Sequence, residues 1–322
     1  MSRLQSLFRT GEIDPESRNR FLLIAGLAAV VVLALAVIAV GYYVDRIAPR
    51  GETVFIAGDR EFSYAYLEDR INATAAEGRF DIQNPAQSIA ITISDIQNEE
   101  LTRLIAAADG VTISDEELDL GIRDDVGVQP ETSRNAYANA LRDRLKLLGL
   151  SMDRYEEMIE ADLLKEKSTN QYAAALPAEL EQVELNLILV DTDAAAATAR
   201  QRIVDGEDFG EVATEVSQDS SASTGGALGW TPRDLLLDDL AEAVFAVEPD
   251  TLSDVIETDR GFYVVRVDGK ETRAVDEVMA SNLARTYFAD RLEAASNQYA
   301  LENRLTVGQA QRLVGQIEVP GG

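Results

Sequence analysis

The sequence predicts an α+β protein with one transmembrane helix, a mostly α-helical domain, and an α/β domain that contains a small antiparallel sheet. Three features lead to this prediction. Residues 21–43 form an uncharged apolar run. Residues 98–175 repeat apolar side chains at helical spacing, whereas residues 181–271 alternate between short strand-like and helix-like segments.

The apolar run predicts a membrane anchor. Its 23 residues carry no charge, and a helix that rises about 1.5 Å per residue would cross a hydrocarbon core of about 30 Å. A cleaved signal peptide would have a shorter apolar core. Four arginines precede the run and two follow it before residue 51. The positive-inside rule therefore predicts a single-pass cell-membrane protein with a cytoplasmic N-terminus and an extracytoplasmic body.

Composition excludes several classes of chemistry. The chain has no cysteine and no histidine, so disulfides, Cys/His metal sites and catalysis by an imidazole or a thiol are ruled out. Its formal net charge is −28, and a field of that sign repels nucleic acid. We therefore expect neither a metal centre nor a nucleic-acid partner.

The region before Pro177 reads as mainly helical. Residues 52–64 predict two short strands about a Gly-Asp turn, followed by a helix, and residues 89–93 predict a further strand. Ser114 with Glu117 three residues later has the pattern of a capping box, and Ser151 is expected to open another helix.

After Pro177 the periodicity becomes mixed. Strands are predicted at residues 185–190, 254–257 and 261–267, and helices at residues 193–204, 209–216 and 235–247. A Ser/Gly-rich loop is expected between the second and third of these helices. A long helix is predicted for residues 275–303, and we expect the C-terminal region to pack on the helical domain.

Four sequence motifs occur in order between residues 181 and 271. They are LILVDTDAAAATARQRIVDGEDFGEVATEVSQDSS, GGALGW, LAEAVFAV and TDRGFYVVRVDG. In type, order and spacing this stretch resembles the parvulin family of peptidyl-prolyl isomerases. The resemblance implies a parvulin-like fold, and an activity that needs no cofactor.

The preceding segments GVTISDEELD and LGLSMDRYEEMIEADLLKEK resemble the N-terminal chaperone domain of SurA, PrsA and PpiD type folding helpers. The expected organisation is then a cytoplasmic tail, an anchor, a chaperone domain, a parvulin-like domain and a C-terminal helix that packs on the chaperone domain. The corresponding residues are 1–20, 21–43, 51–177, 181–271 and 272–322.

The resemblance also implies a site. Its expected catalytic residues are Asp219, Thr258 and Tyr263, and the cup for the proline ring would be lined by Leu187, Leu228, Leu236, Leu240 and Phe245. From the sequence alone, two alternatives stay open. The apolar residues can equally be ordinary core, and an Asp in a Ser-rich loop is commonly a turn former.

One departure bears on activity. Parvulins commonly present a histidine in the first and in the last strand, and this chain has Leu187 in LNLIL and Tyr263 in GFYVV at those places. The resemblance implies a membrane-anchored isomerase and chaperone for unfolded or newly exported polypeptides with X-Pro bonds. The alternative is a catalytically inactive holdase or a scaffold of an envelope complex. The sequence leaves the oligomeric state open.

Overall fold

The computed structural model of the protein describes residues 48–317. Within them the helices are α1 (Tyr64–Ala76), α2 (Pro85–Ala108), α3 (Asp115–Asp125), α4 (Arg134–Leu148), α5 (Met152–Ala175), α6 (Asp193–Val204), α7 (Phe209–Val216), α8 (Asp238–Ala246), α9 (Glu277–Gln298) and α10 (Val307–Gln316). The strands are β1 (Thr53–Ala57), β2 (Arg60–Ser63), β3 (Glu179–Val190), β4 (Ala227–Pro232), β5 (Thr251–Leu252), β6 (Ile256–Thr258), β7 (Gly261–Ala274) and β8 (Leu301–Asn303). The architecture is mixed α and β with antiparallel sheets.

The predicted fold class included a transmembrane helix, and this part of the prediction is corrected. No helix within residues 48–317 is both long enough and apolar enough to cross a membrane. The longest, α2 and α5, have 24 residues each and carry charged side chains. The predicted anchor at residues 21–43 and the tail at residues 1–20 lie outside the described residues. The prediction of a single-pass membrane location with an extracytoplasmic body is accordingly withdrawn.

The described chain forms two compact units. The first contains residues 48–97, 144–150 and 301–317, and the second contains residues 98–143 and 151–300. Each unit groups residues that contact one another more than they contact the rest of the chain. The domain boundaries predicted from the sequence are not tested by this division and remain a prediction.

The first unit is built on a three-stranded antiparallel sheet in the order β2-β1-β8. The hairpin predicted for residues 52–64 is confirmed as β1 and β2. The rings of Phe55 and Phe62 stack with their centroids 4.6 Å apart, and Tyr66 of α1 meets Phe62 edge-on at 5.0 Å. Aromatic pairs of this kind hold the hairpin against α1.

The prediction of a strand at residues 89–93 is wrong, because these residues lie inside α2. Ile89, Ile93 and Ile96 recur at intervals of four and three, and all three are buried in the core of the first unit. That spacing puts them on one face of a helix. A short apolar run read in isolation fits a strand equally well, and the longer repeat decides between the two.

The helical part of the second unit packs α3 and α9 against α5. Tyr172 of α5 donates a hydrogen bond to the carboxylate of Asp109, just after α2. Arg291 of α9 donates to the same carboxylate at 2.6 Å. A single carboxylate therefore joins the end of α2 to both α5 and α9.

Several predicted helix starts are confirmed by their caps. Ser114 and Glu117 form the expected capping box at α3, and Ser151 accepts a hydrogen bond from a backbone N–H of α5. Thr192 and Asp208 cap α6 and α7 in the same way. Each cap satisfies a backbone N–H that has no partner within its helix.

The second sheet has the strand order β4-β3-β7-β5, and β6 also pairs with β7. Strands β3 and β7 pair along 12 positions, from Glu179 with Ala274 to Val190 with Phe262. One face of this pair packs on α8, and the opposite face packs on α6 and α7. Where both faces are covered, apolar residues are consecutive, and these runs are residues 187–190 of β3 and residues 262–265 of β7.

Other boundaries differ from the sequence prediction. The stretch expected to be a loop before Thr231 contains the start of β4, which sequence patterns missed. The helix expected to reach residue 303 ends at Gln298, where the chain turns towards β8. Both misses concern strands of three to six residues, which are too short to show a clear alternation.

Two glycines of the GGALGW motif have different structural roles. Gly226 has a φ of +77°, and a Cβ there would lie 2.4 Å from the carbonyl oxygen of Leu187. The carbonyl of Gly226 also accepts a hydrogen bond from the Leu187 N–H at 2.9 Å. Gly229 has a φ of +72°, but a Cβ there would meet nothing within 4 Å. Only Gly226 of this pair is therefore required for a close approach to β3.

We expect Gly226→Ala to destabilise the protein more than Gly229→Ala. Both substitutions force a left-handed backbone on alanine, which costs roughly 1–2 kcal/mol. Gly226→Ala adds a steric clash with backbone atoms of β3, and overpacking of this type costs about 1–3 kcal/mol more. Urea unfolding of the two variants measures the difference. Equal losses of unfolding free energy would contradict the role assigned to Gly226.

Candidate functional site

An apolar cluster lies on the face of the second sheet that is covered by α8. The pairing of β3 with β7 sets Leu187 opposite Val265 and Leu189 opposite Tyr263. Alternate residues of a strand share a face, so these four side chains point to the same side of the sheet. Leu187 and Tyr263 are each 3% exposed.

Helix α8 covers this face with Leu240, Val244 and Phe245, which all belong to the same cluster. Leu236, in the segment before α8, is partly buried and packs against it. Leu240 and Val244 share one side of the helix because they lie four residues apart, and Phe245 extends the contact from the position next to Val244. The cluster is therefore formed by two strands, one helix and the segment that leads into the helix.

The structure brings together five of the residues predicted for the site, and these are Leu187, Leu236, Leu240, Phe245 and Tyr263. Four of the five are buried, and Leu236 alone is partly exposed. Leu228 is 41% exposed and lies on β4. The cluster is thus core as it stands, and Leu236 is one of its partly buried members, with Leu189, Val247 and Ile256.

Asp219 follows α7 and caps a short 3₁₀ turn at Ser220–Thr224. Its Oδ1 accepts hydrogen bonds from the backbone N–H of Ser221 at 2.8 Å and from the Ser221 hydroxyl at 2.6 Å. The carboxylate therefore has its own donors within the turn. The turn-former role that the sequence left open is present in the structure.

The segment that carries Asp219 is bound to β3 at Leu189. The Leu189 N–H donates to the Ser217 hydroxyl at 3.1 Å, and the Gln218 N–H donates to the Leu189 carbonyl at 2.8 Å. Leu189 is also the cross-strand partner of Tyr263. One residue of β3 thus connects the segment of Asp219 to the strand of Tyr263.

The electrostatics of Tyr263 reflect this arrangement. Burial raises the pKa of the Tyr263 phenol, the positive charge of Arg260 opposes the rise, and the negative charge of Asp219 adds to it. The phenol is therefore neutral at physiological pH and retains its O–H as a hydrogen-bond donor. Asp219 acts on Tyr263 through its charge.

Thr258 is the last residue of β6 and precedes the turn into β7. Its hydroxyl donates to the carbonyl of Gly261 at 3.1 Å and accepts from the N–H of Arg260 at 3.2 Å. Both hydrogen bonds are local, so they shape the turn that precedes Tyr263. Among the described residues, neither of these hydrogen bonds connects Thr258 to Asp219.

Three further residues at the cluster were not picked out from the sequence. The guanidinium of Arg233 lies over the ring of Phe245, 4.5 Å from its centroid. The Lys270 ammonium lies 5.6 Å from the same ring and donates to the Phe245 carbonyl at 2.7 Å. Ser217 anchors the segment of Asp219. A cation beside an aromatic ring has no short sequence pattern, because its partners come from different elements.

No metal site is formed in the part of the chain that the structure describes. Residues 48–317 contain no group of three or more Asp or Glu side chains placed to hold a metal ion. The ionisable groups at the cluster are Tyr263, the cations Arg233 and Lys270 and, through its charge, Asp219. These groups can bind and polarise a substrate, but they do not form a nucleophile with an adjacent base.

Comparison with known proteins gives one family match. Residues 189–269 match the family model described as Rotamase, PPIC-type PPIASE domain. This range contains β3 from Leu189 onward, the segment of Asp219, helix α8 and most of β7. The match therefore covers the part of the apolar cluster that α8 and β7 supply, and it begins after Leu187 of β3.

Curated relatives and a solved structure are similar over longer stretches. The chain is 28% identical over 195 residues to the foldase protein PrsA of Geobacillus kaustophilus, which covers 58% of this chain and 66% of the relative. It is 29% identical over 152 residues to the chaperone SurA of Ralstonia nicotianae, covering 44% and 31%. The chain thus spans less than two thirds of these relatives. A crystal structure of the peptidylprolyl isomerase PrsA from Bacillus anthracis aligns with a TM-score of 0.43 and 17% identity, covering 69% of this chain and 93% of that one.

We expect two substitutions to move the pKa of Tyr263 in opposite directions. Asp219→Asn removes a negative charge that disfavours the phenolate, so the pKa falls. Arg260→Gln removes a positive charge that favours the phenolate, so the pKa rises. NMR titration of the tyrosine Cζ resonance measures both shifts, over the pH range in which the amide spectrum remains that of the folded protein. Asp208→Asn, at the N-cap of α7, is the control. An equal shift of the Tyr263 pKa in that variant would contradict the assignment of the effect to the charge of Asp219.

Proposed function

Residues 189–269 form a PpiC-type parvulin domain in a chain related to PrsA and SurA foldases, and on this premise we propose that the protein is a folding factor that catalyses cis–trans rotation about X-Pro bonds. Its substrates are unfolded polypeptides. We further propose that residues 51–177 and 272–322 bind these clients while residues 181–271 act on the proline.

The proposal rests on one observation, the apolar cluster that contains the buried, neutral phenol of Tyr263, on which the charge of Asp219 acts. Rotation about a peptide bond has a barrier of about 20 kcal/mol, and no covalent bond is made or broken. A catalyst need only bind the twisted amide better than either planar form. An apolar wall for the proline ring and a few polar groups beside the amide are sufficient for that, without a cofactor.

Each site residue has a role in this proposal. Leu236 and Leu228, the accessible members, receive the proline ring, and Leu187, Leu240 and Phe245 form the floor beneath them. Asp219 orients the amide through its charge, and the neutral phenol of Tyr263 does so as a hydrogen-bond donor. Thr258 fixes the turn that sets the position of Tyr263.

The loss of two imidazoles is compatible with this chemistry. Leu187 contributes packing where a histidine would need a hydrogen-bond partner, and a buried polar group without a partner costs about 1–3 kcal/mol. Tyr263 keeps one O–H donor in the last strand. The proposed site is therefore a more apolar version of a parvulin site, with its polar function reduced to Asp219 and Tyr263.

A second candidate function is client binding without catalysis. It is favoured by the burial of Leu187, Leu240 and Phe245, none of which is more than 5% exposed. A substrate proline would then contact the open side of the cluster at Leu236 without reaching a shaped cup. In that case the protein would act as a holdase for unfolded chains.

The proposed activity predicts that the chain accelerates cis–trans exchange of a short Ala-Pro peptide. NMR exchange spectroscopy measures the rate with and without protein. We expect Asp219→Ala to lower the acceleration by about tenfold or more, since a hydrogen bond to a charged group contributes roughly 1.5–3 kcal/mol. Asp208→Ala is the matched control, because Asp208 also caps a helix, accepting from Glu211 N–H at 3.0 Å, on the opposite face of the sheet.

The outcomes separate the two candidate functions. An equal loss in Asp208→Ala would trace the effect to capping and remove Asp219 from the site. No acceleration by the unaltered chain at high concentration would overturn the isomerase proposal. Holdase function would then be tested by aggregation of an unfolded client, which the protein should suppress equally with and without prolines in the client.

A further inference from the structure

The rim loop, residues 233–237, connects β4 to α8 at the partly open side of the apolar cluster. It starts with a 3₁₀ turn at Arg233–Leu235, and the Leu236 N–H donates to the Arg233 carbonyl at 3.0 Å. Leu236 packs on the cluster, and the Arg233 guanidinium covers the Phe245 ring. The loop thus supplies both the partly exposed wall and a charged cover of the proposed site.

The rim loop is held from outside the parvulin-like segment. Asp234 lies between Arg233 and Leu236, the two residues of the loop that contact the cluster. Its carboxylate accepts a hydrogen bond from the hydroxyl of Tyr287 on α9. Burial, the hydrogen bond to Asp234 and the negative charges of Asp234 and Asp290 together raise the pKa of Tyr287 to about 12. The hydroxyl therefore remains a donor at every pH at which the protein would work.

Helix α9 is held in place by contacts other than the one with Asp234. It packs against α5, where the ring of Phe288 lies 6.4 Å from that of Tyr172. Arg291 of α9 donates to Asp109 at 2.6 Å. Tyr287 therefore extends from an anchored helix, and its hydroxyl can restrain the loop.

The rim loop is exposed on its outer side. Its 3₁₀ turn packs against α8 and α9, but Arg233, Asp234 and Leu237 are exposed, and the turn has no side-chain cap at its start. On that exposed side the hydrogen bond from Tyr287 adds a directional restraint to the packing of the turn.

We propose that Tyr287 is a positioning residue of the isomerase site, which holds the rim loop through Asp234 and so keeps Leu236 and Arg233 in place against the cluster. The inference rests on the function proposed above, and it makes a helix beyond residue 271 part of the site. Tyr287 does not contact the reacting amide. It acts through the position of the loop.

The test compares Tyr287→Phe with Tyr172→Phe in the full chain. Both variants lose a tyrosine-to-aspartate hydrogen bond in the second unit, but Tyr172 donates to Asp109 and not to the rim loop. We expect Tyr287→Phe to raise KM for a proline peptide by roughly fivefold to tenfold. The value of kcat should change less, since the lost interaction serves substrate binding in the ground and transition states alike. Tyr172→Phe should leave KM unchanged.

Two further measurements distinguish positioning from general destabilisation. Hydrogen exchange of the Leu236 amide, which closes the 3₁₀ turn, should quicken in Tyr287→Phe and stay unchanged in Tyr172→Phe. Asp234→Asn keeps an acceptor for the Tyr287 hydroxyl and should retain a KM near that of the unaltered chain. Asp234→Ala removes the acceptor and should behave like Tyr287→Phe.

The outcomes are decisive in either direction. Equal KM values and equal Leu236 exchange in Tyr287→Phe and Tyr172→Phe would overturn the positioning role, even if the chain is an active isomerase. If the unaltered chain shows no isomerase activity, the proposed function fails. The exchange rate of the Leu236 amide alone then tests whether Tyr287 restrains the rim loop. Faster exchange confined to Tyr287→Phe and Asp234→Ala then supports the restraint of the loop, and unchanged exchange refutes it.

Discussion

The pairing of β3 with β7 is the interaction on which the second unit depends. The two strands pair along 12 positions and are covered on both faces. Leu187 and Tyr263 point towards α8, whereas Ile188 and Val264 point towards α6 and α7. Because side chains alternate, a slip by one residue would exchange the two faces and remove the apolar cluster from beneath α8. The register of this pair therefore determines where the candidate site lies.

The polar parts of the site are attached to this pair by backbone hydrogen bonds. The segment of Asp219 is bound at Leu189, and the chain at Gly226 is bound at Leu187. The rim loop is different, since a hydrogen bond from Tyr287 on α9 adds to its packing on the cluster. The site thus combines segments that the sheet positions with one loop whose position depends on the helical part of the same unit.

The absence of histidine changes how the polar groups are satisfied. The Asp219 carboxylate obtains its donors from Ser221 in its own turn, and Leu187 fills its place by packing. A buried network of imidazoles would need every member to be paired, because an unpaired buried donor or acceptor is costly. The apolar arrangement avoids that requirement and keeps the fold, while it leaves fewer groups to act on an amide.

The sequence by itself determined the helix starts at Ser114 and Ser151, the first hairpin, the order of the parvulin-like motifs and the absence of imidazole and thiol chemistry. These features depend on neighbours within a few residues or on composition alone. Residues 89–93 taken alone did not distinguish a strand from a helix, which needed the longer repeat through Ile96, and no pattern indicated β8. Only the tertiary structure decided that Leu187, Leu240 and Tyr263 form one buried cluster while Leu228 stays exposed. The same holds for Tyr287 and Asp234, which are 53 residues apart, because such contacts arise from packing between elements and leave no local pattern.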